Sequence, residues 1–233
     1  MTDFPDLELD KASAAASLSP AGRAVHRWVL TVFAETGRAP SRTDLDRAAR
    51  EHTADAGVDH AAVVAELTGR DVLALDERGE IRAAYPFSPV PTRHKVTWDA
   101  GPSVYAMCAI DALGMSAMLG IPVTITSAEP DTERTVTVTV DRATARWEPT
   151  TAVVFAGHTD GDTACCPSVD RTCGHINFFT TADAAHAWSA NNPSITGAVL
   201  DRHQALATGI AEFGALIQAG NSATPTTVDP ELP

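Results

Sequence analysis

Four cysteines and one aspartate are the residues of this 233-residue chain whose types and spacing suit chemistry. Cys108 and Asp111 stand three positions apart in the run Val104-Tyr-Ala-Met-Cys-Ala-Ile-Asp-Ala-Leu-Gly-Met-Ser-Ala-Met-Leu119. That run reads as a helix apolar nearly all round, which belongs in a core. The spacing puts thiol and carboxylate on one helical face. A carboxylate in such a setting is costly unless it has a partner or a task. Desolvation raises its proton affinity, so it can take a proton from a thiol and later return it. The competing reading is a packed free cysteine beside an aspartate that caps the helix or pairs with Arg or Lys.

The other three, Cys165, Cys166 and Cys173, cluster in and after a Gly- and Asp-rich stretch, residues 157–172, which is long for a loop without secondary structure. Clustered cysteines in a reducing compartment point to metal or redox chemistry more than to staples. Side chains of the adjacent pair Cys165 and Cys166 normally point apart. That suits sequential handling of a soft metal, against an incidental pair or a strained vicinal disulfide. A zinc set of His158, Cys165, Cys166, Cys173 and His175 is conceivable but lacks Cys-x-x-Cys spacing. The sequence has no phosphate-cradling glycine loop, paired-histidine zinc helix or Gly-x-Ser-x-Gly elbow.

Net charge is −13, which argues against nucleic acid or an anionic membrane surface as a partner. No apolar run approaches a membrane span, and the acidic N-terminus lacks a signal-peptide layout, so a soluble cytoplasmic protein is expected.

The elements that must position the cysteines read as an α+β chain. Residues 1–17 are a polar lead expected to be a flexible tail. Residues 18–85 hold three helices, opened by Ser19-Pro20, by Ser41 with Asp44, and by Asp59, followed by a hairpin. This winged-helix-like layout carries Asp44, Asp46, Glu51, Asp55, Asp59 and Glu66 on its second and third helices and in the segment joining them, which would repel phosphates. Pro86, Pro89 and Pro91 make residues 86–97 a stiff linker. Residues 98–218 form a mixed α/β catalytic domain, with a small antiparallel-rich sheet around the buried central helix, for which Ser103 is a plausible cap. Residues 219–233 are expected to be a flexible tail.

The segment Tyr105-Ala-Met-Cys108-Ala-Ile-Asp111-Ala-Leu, followed in order by Cys173-Gly-His-Ile-Asn-Phe-Phe179, resembles the alkylmercury lyases, the organomercurial lyases of bacterial mercury resistance. The resemblance runs from about residue 86 to residue 218. It implies carbon–mercury bond cleavage by protonolysis, with Cys108, Asp111 and Cys173 as the catalytic set. It implies no cofactor: mercury is substrate and product, held by Cys108 and Cys173, and external low-molecular-weight thiols or a mercuric reductase take the Hg(II). Cys165 and Cys166 are candidates to relay the ion, on their adjacency alone. The resemblance also implies that the N-terminal domain is not used on DNA. Two departures stand out. Gly174 replaces a second adjacent cysteine that the family often has, and residues 127–129 stand where it has a cysteine regarded as structural.

The chemistry follows from the residue types. Soft mercury prefers thiolates. Two of them on one metal push electron density onto the bound carbon, which a neighbouring carboxylic acid then protonates. The alternative is a non-enzymatic soft-metal (Hg, Zn or Cu) binding protein, a chaperone or a metal-responsive regulator. Binding needs only thiolates, whereas protonolysis needs the proton donor Asp111.

Overall fold

Side-chain oxygens at Ser19, Ser41 and Asp59 start the first long helices. The computed structural model describes residues 9–54, 59–159 and 167–217. Lys11–Ala16 (α1) is followed by Pro20–Thr36 (α2), Arg42–Thr53 (α3) and His60–Gly69 (α4). The Ser19, Ser41 and Asp59 side chains accept from Gly22, Asp44 and Ala61 N–H groups, and Gly37, at φ 73°, closes α2. Val25, Val29, Leu30, Phe33, Leu45 and Leu67 point these helices at one another and are buried.

Eight antiparallel strands then make the larger sheet: Leu73–Leu75 (β1), Ile81–Ala84 (β2), Phe87–Ser88 (β3), His94–Thr97 (β4), Val104–Ala106 (β5), Val123–Ala128 (β6), Thr135–Asp141 (β7) and Thr144–Glu148 (β8). Their order is β1-β2-β3-β5-β4-β6-β7-β8. In β7 the valines 136, 138 and 140 face the core while Thr135 and Thr139 face out, the period of two that the alternation predicts. Val153–Thr159 (β9) is the middle strand of a second sheet, flanked by Ile176–Phe179 (β10) and Ile195–Leu200 (β11).

Ala109–Leu119 (α5) lies buried at the centre of the molecule, packed against Arg202–Phe213 (α8). Two glycines allow that contact. A Cβ on Gly114 would lie 2.3 Å from the Gly209 carbonyl oxygen, and one on Gly209 would lie 2.7 Å from that of Ile110. The backbones therefore touch. Between the sheets, the buried Glu129 carboxylate accepts from the Thr180 N–H and hydroxyl, each at 2.7 Å, and pairs with Arg134. Ser168–Arg171 (α6) and Ala182–Asn191 (α7) complete the helices.

Several expectations change. Residues 104–106 are a strand, because β3 and β4 flank them on both sides and take up their backbone hydrogen bonds. The central helix consequently starts later than the apolar run suggested, and Ser103 does not cap it. The proline-rich stretch 86–97 carries β3 and β4, so one sheet runs through the expected linker. Residues 11–16 form a helix within the expected tail. Its Lys11 and Ala12 N–H groups donate to Glu212 of α8, a partner far along the chain. The long loop is shortened at both ends, by β9 running to Thr159 and by α6. Residues 1–8, the tail 219–233, and Cys165 and Cys166 lie outside the described residues.

Candidate active site

Cys108 is the N-cap residue of α5, in extended conformation, and its sulfur accepts the Asp111 N–H at 3.4 Å. Thiol and carboxyl are therefore neighbours through a capping turn and not through a shared helix face. Sulfur is a poor substitute for the oxygen that normally caps a helix. Its presence there costs α5 some stability and places a reactive group at the helix start.

Cys108 is fully buried, Asp111 is 2% exposed and Cys173 is 5% exposed. Burial, reinforced first by the Asp111 carboxylate, pushes the Cys108 thiol well above its ordinary range. Cys173 is pushed up by burial and by Asp111. Burial also raises the Asp111 carboxyl from 3.8 to about 7, against the opposing pulls of Cys108 and the Lys11 charge. Asp111 Oδ2 is buried with no hydrogen-bond partner among the described residues. The three groups thus sit within electrostatic reach of one another, and in the resting site both sulfurs hold their protons. The carboxyl is half-protonated near neutrality, where one group works as both base and acid.

Cys173 arrives from the other side, on the 3-10 turn Cys173–His175 that follows α6. The Asn177 side-chain amide donates to the Gly174 carbonyl at 2.9 Å and also bonds His94, whose Nδ1 lies 2.9 Å from the Ser127 hydroxyl. Burial holds the His94 imidazole neutral, at about 3. This buried string ties the turn to β4 and β6. A Cβ on Gly174 would meet nothing within 4 Å, so space does not forbid a second cysteine there.

Among the described residues no three His, Cys, Asp or Glu side chains are arranged to hold a metal ion. The zinc set is therefore not assembled from His158, Cys173 and His175, and its other members lie outside the described residues. Two thiols with one acid can instead bind a soft ion between two sulfurs and move a proton beside it. Sequence reasoning missed Lys11 and Tyr85. The Lys11 ammonium lies 4.0 Å over the Tyr85 ring, and its charge pulls the proton affinities of Asp111 and Cys173 down, while burial, with Cys173 and Asp111, pushes the Tyr85 hydroxyl up. Nothing local in the polar segment Asp10-Lys11-Ala12-Ser13 signals this, because the partners are distant in sequence.

Comparison with known proteins bears on the same region. The family model for alkylmercury lyase, MerB, matches residues 87–214. An alkylmercury lyase of Staphylococcus epidermidis is 36% identical over 121 residues, covering 51% of this chain and 53% of that protein. One of Streptomyces lividans is 37% identical over 125 residues, covering 52% and 54%. The chain thus spans about half the length of the curated relatives it matches. A crystal structure of the mercury-bound form of MerB2 superposes with a TM-score of 0.68 at 22% identity, over 91% of this chain and 98% of that one, which shows a shared fold. The family match covers more than half of the chain, including α5 with its capping cysteine, the larger sheet from β3 to β8, the second sheet and the Cys173 turn, and on that ground this chain belongs to the alkylmercury lyase family.

Proposed function

We propose that this chain cleaves the carbon–mercury bond of organomercurials by protonolysis, using Cys108, Asp111 and Cys173. The observation that carries the reading is Asp111, a buried carboxyl next to a capping thiol with its proton affinity raised to about 7. A site that only bound metal would need the two sulfurs and no such acid.

The overall balance is R–Hg–X plus two thiols giving R–H, HX and a mercury(II) bis-thiolate. As the organomercurial meets the first sulfur, that thiol's proton leaves with the displaced ligand X as HX. The second thiol passes its proton to the Asp111 carboxylate and joins the mercury as a thiolate, and the electron pair of the carbon–mercury bond becomes basic. Asp111 delivers its proton to that carbon. The carbon–mercury bond breaks as the carbon–hydrogen bond forms, and Hg(II) stays on Cys108 and Cys173. No change of oxidation state occurs, and no cofactor enters the scheme. Dry surroundings strengthen each electrostatic effect and keep the proton from leaking to water. Low-molecular-weight thiols or a mercuric reductase then take up the metal by thiol exchange in the cytoplasm. The first helices and hairpin act as a winged-helix-like scaffold without a nucleic-acid partner.

The test incubates the protein with methylmercury or phenylmercury and excess thiol, and follows methane or benzene. The reading requires catalytic hydrocarbon release. Stoichiometric mercury binding without hydrocarbon supports the soft-metal binding protein instead.

A further inference from the structure

We infer that Lys11 is a positioning residue for Cys173: paired with Asp71, it clamps the start of α6, and α6 sets where the Cys173 thiol stands. The inference rests on the reading of Cys173 as the second mercury ligand.

Lysine is rarely buried without a partner, yet Lys11 is 5% exposed. Its ammonium has three N–H donors, and the structure supplies three acceptors: the Asp71 carboxylate at 2.6 Å, the Asp71 carbonyl at 2.7 Å and the Ser168 hydroxyl at 3.0 Å. The Tyr85 ring covers the same cation at 4.0 Å. Such a set fixes the head of a flexible side chain in one place.

The clamp closes on α6. Asp71 Oδ2 accepts from the Ser168 N–H at 3.1 Å and from the Ser168 hydroxyl. Asp71 itself has φ 50°, a left-handed conformation that an aspartate tolerates better than most residues. From Ser168 the chain turns once. Its carbonyl accepts the Thr172 N–H at 2.9 Å and the Thr172 hydroxyl at 3.0 Å, and Cys173 follows directly. Cys108 has its own anchor at the start of α5. Cys173 stands instead on a four-residue helix and a 3-10 turn, elements too short to hold their shape without tertiary contacts. Two sulfurs that must meet one metal ion need placement to within about 0.5 Å. Glu212 completes the arrangement by holding the Lys11 and Ala12 N–H groups, which ties α1 to the helix that packs on α5.

The experiment uses the full chain and iodoacetamide, and needs no mercury, so it reads cysteine placement even if the chain does not cleave organomercurials. Alkylation rates of Cys108 and Cys173 are followed separately by peptide mass spectrometry in wild type, Lys11→Met, Lys11→Arg and the double variant Lys11→Met/Asp71→Asn. Loss of the clamp speeds Cys173 alkylation roughly 10- to 100-fold, the factor expected when a charge-assisted hydrogen bond closing a segment is lost. Cys108 keeps its wild-type rate, Lys11→Arg retains most of the protection, and the double variant does not regain it. The double variant buries no lone carboxylate, so it answers the question if Lys11→Met does not fold. Equal acceleration of both cysteines, unchanged Cys173 labelling, or full protection in the double variant overturns the inference. In the last case Lys11 serves only to neutralise Asp71.

Discussion

Replacing Asp111 with Asn tests whether burial keeps this carboxyl protonated up to neutral pH. Its affinity rises from 3.8 to about 7, chiefly through desolvation. The folded protein therefore holds a proton that the unfolded chain has already lost between about pH 4 and pH 7. With the folded value raised, this group's contribution to stability is present in full at low pH. It is lost as pH rises through that window, by about 4 kcal/mol in all. Asparagine has nothing to lose. Measured against wild type by urea unfolding, Asp111→Asn should gain about 3 kcal/mol in relative stability between pH 4.5 and pH 8.5. This appears as a midpoint that moves with pH at constant slope. Other shifted groups shape the wild-type curve: Glu212 is also raised by burial, and His26 is lowered to about 4. Those contributions cancel in the difference between the two proteins. A difference that stays flat across this range, to within about 0.5 kcal/mol, would refute the claim that burial sets the carboxyl's affinity.

Three further outcomes follow from packing and polar contacts. Glu129→Ala leaves the buried Thr180 donors without their acceptor and should cost about 3 kcal/mol of unfolding free energy, read by denaturant titration. Gly114→Ala drives a methyl into the Gly209 carbonyl and the Phe213 ring. It should lower stability by about 1–3 kcal/mol, and combining it with Gly209→Ala should cost less than the sum, since both act on one helix contact. Ser127→Val removes the hydroxyl partner of buried His94 and should cost about 1–3 kcal/mol. A loss below about 0.5 kcal/mol in any of these would show that the contact does not bear the weight given to it.

β6 and β7 of the larger sheet were legible because the alternation of apolar residues with threonine states which face is buried. Cys108 with Asp111 was legible as a pair, although the geometry joining them was not. Cysteine is no capping signal, and three residues of alternation, Val104–Ala106, look the same in a strand as in an apolar helix. Only the pairing of β5 with β3 and β4 decides between them, and pairing is non-local. Prolines misled for a related reason. Pro89 and Pro91 stop regular structure where they stand but do not prevent the short strands on either side from joining one sheet. β8 was missed because it is an edge strand of which Trp147 alone is fully buried. Lys11 was invisible in principle. Its burial depends on Asp71, Tyr85 and Ser168, which nothing in the sequence places beside it.

The assignment of the two sulfurs is the centre of the account, and single-turnover cleavage of phenylmercury tests it most directly. Benzene release should be abolished in Cys108→Ala and in Cys173→Ala, and should persist at the wild-type rate in Cys165→Ala and Cys166→Ala. Continued benzene release by Cys173→Ala, together with its loss in Cys166→Ala, would contradict the account and move the second thiolate upstream.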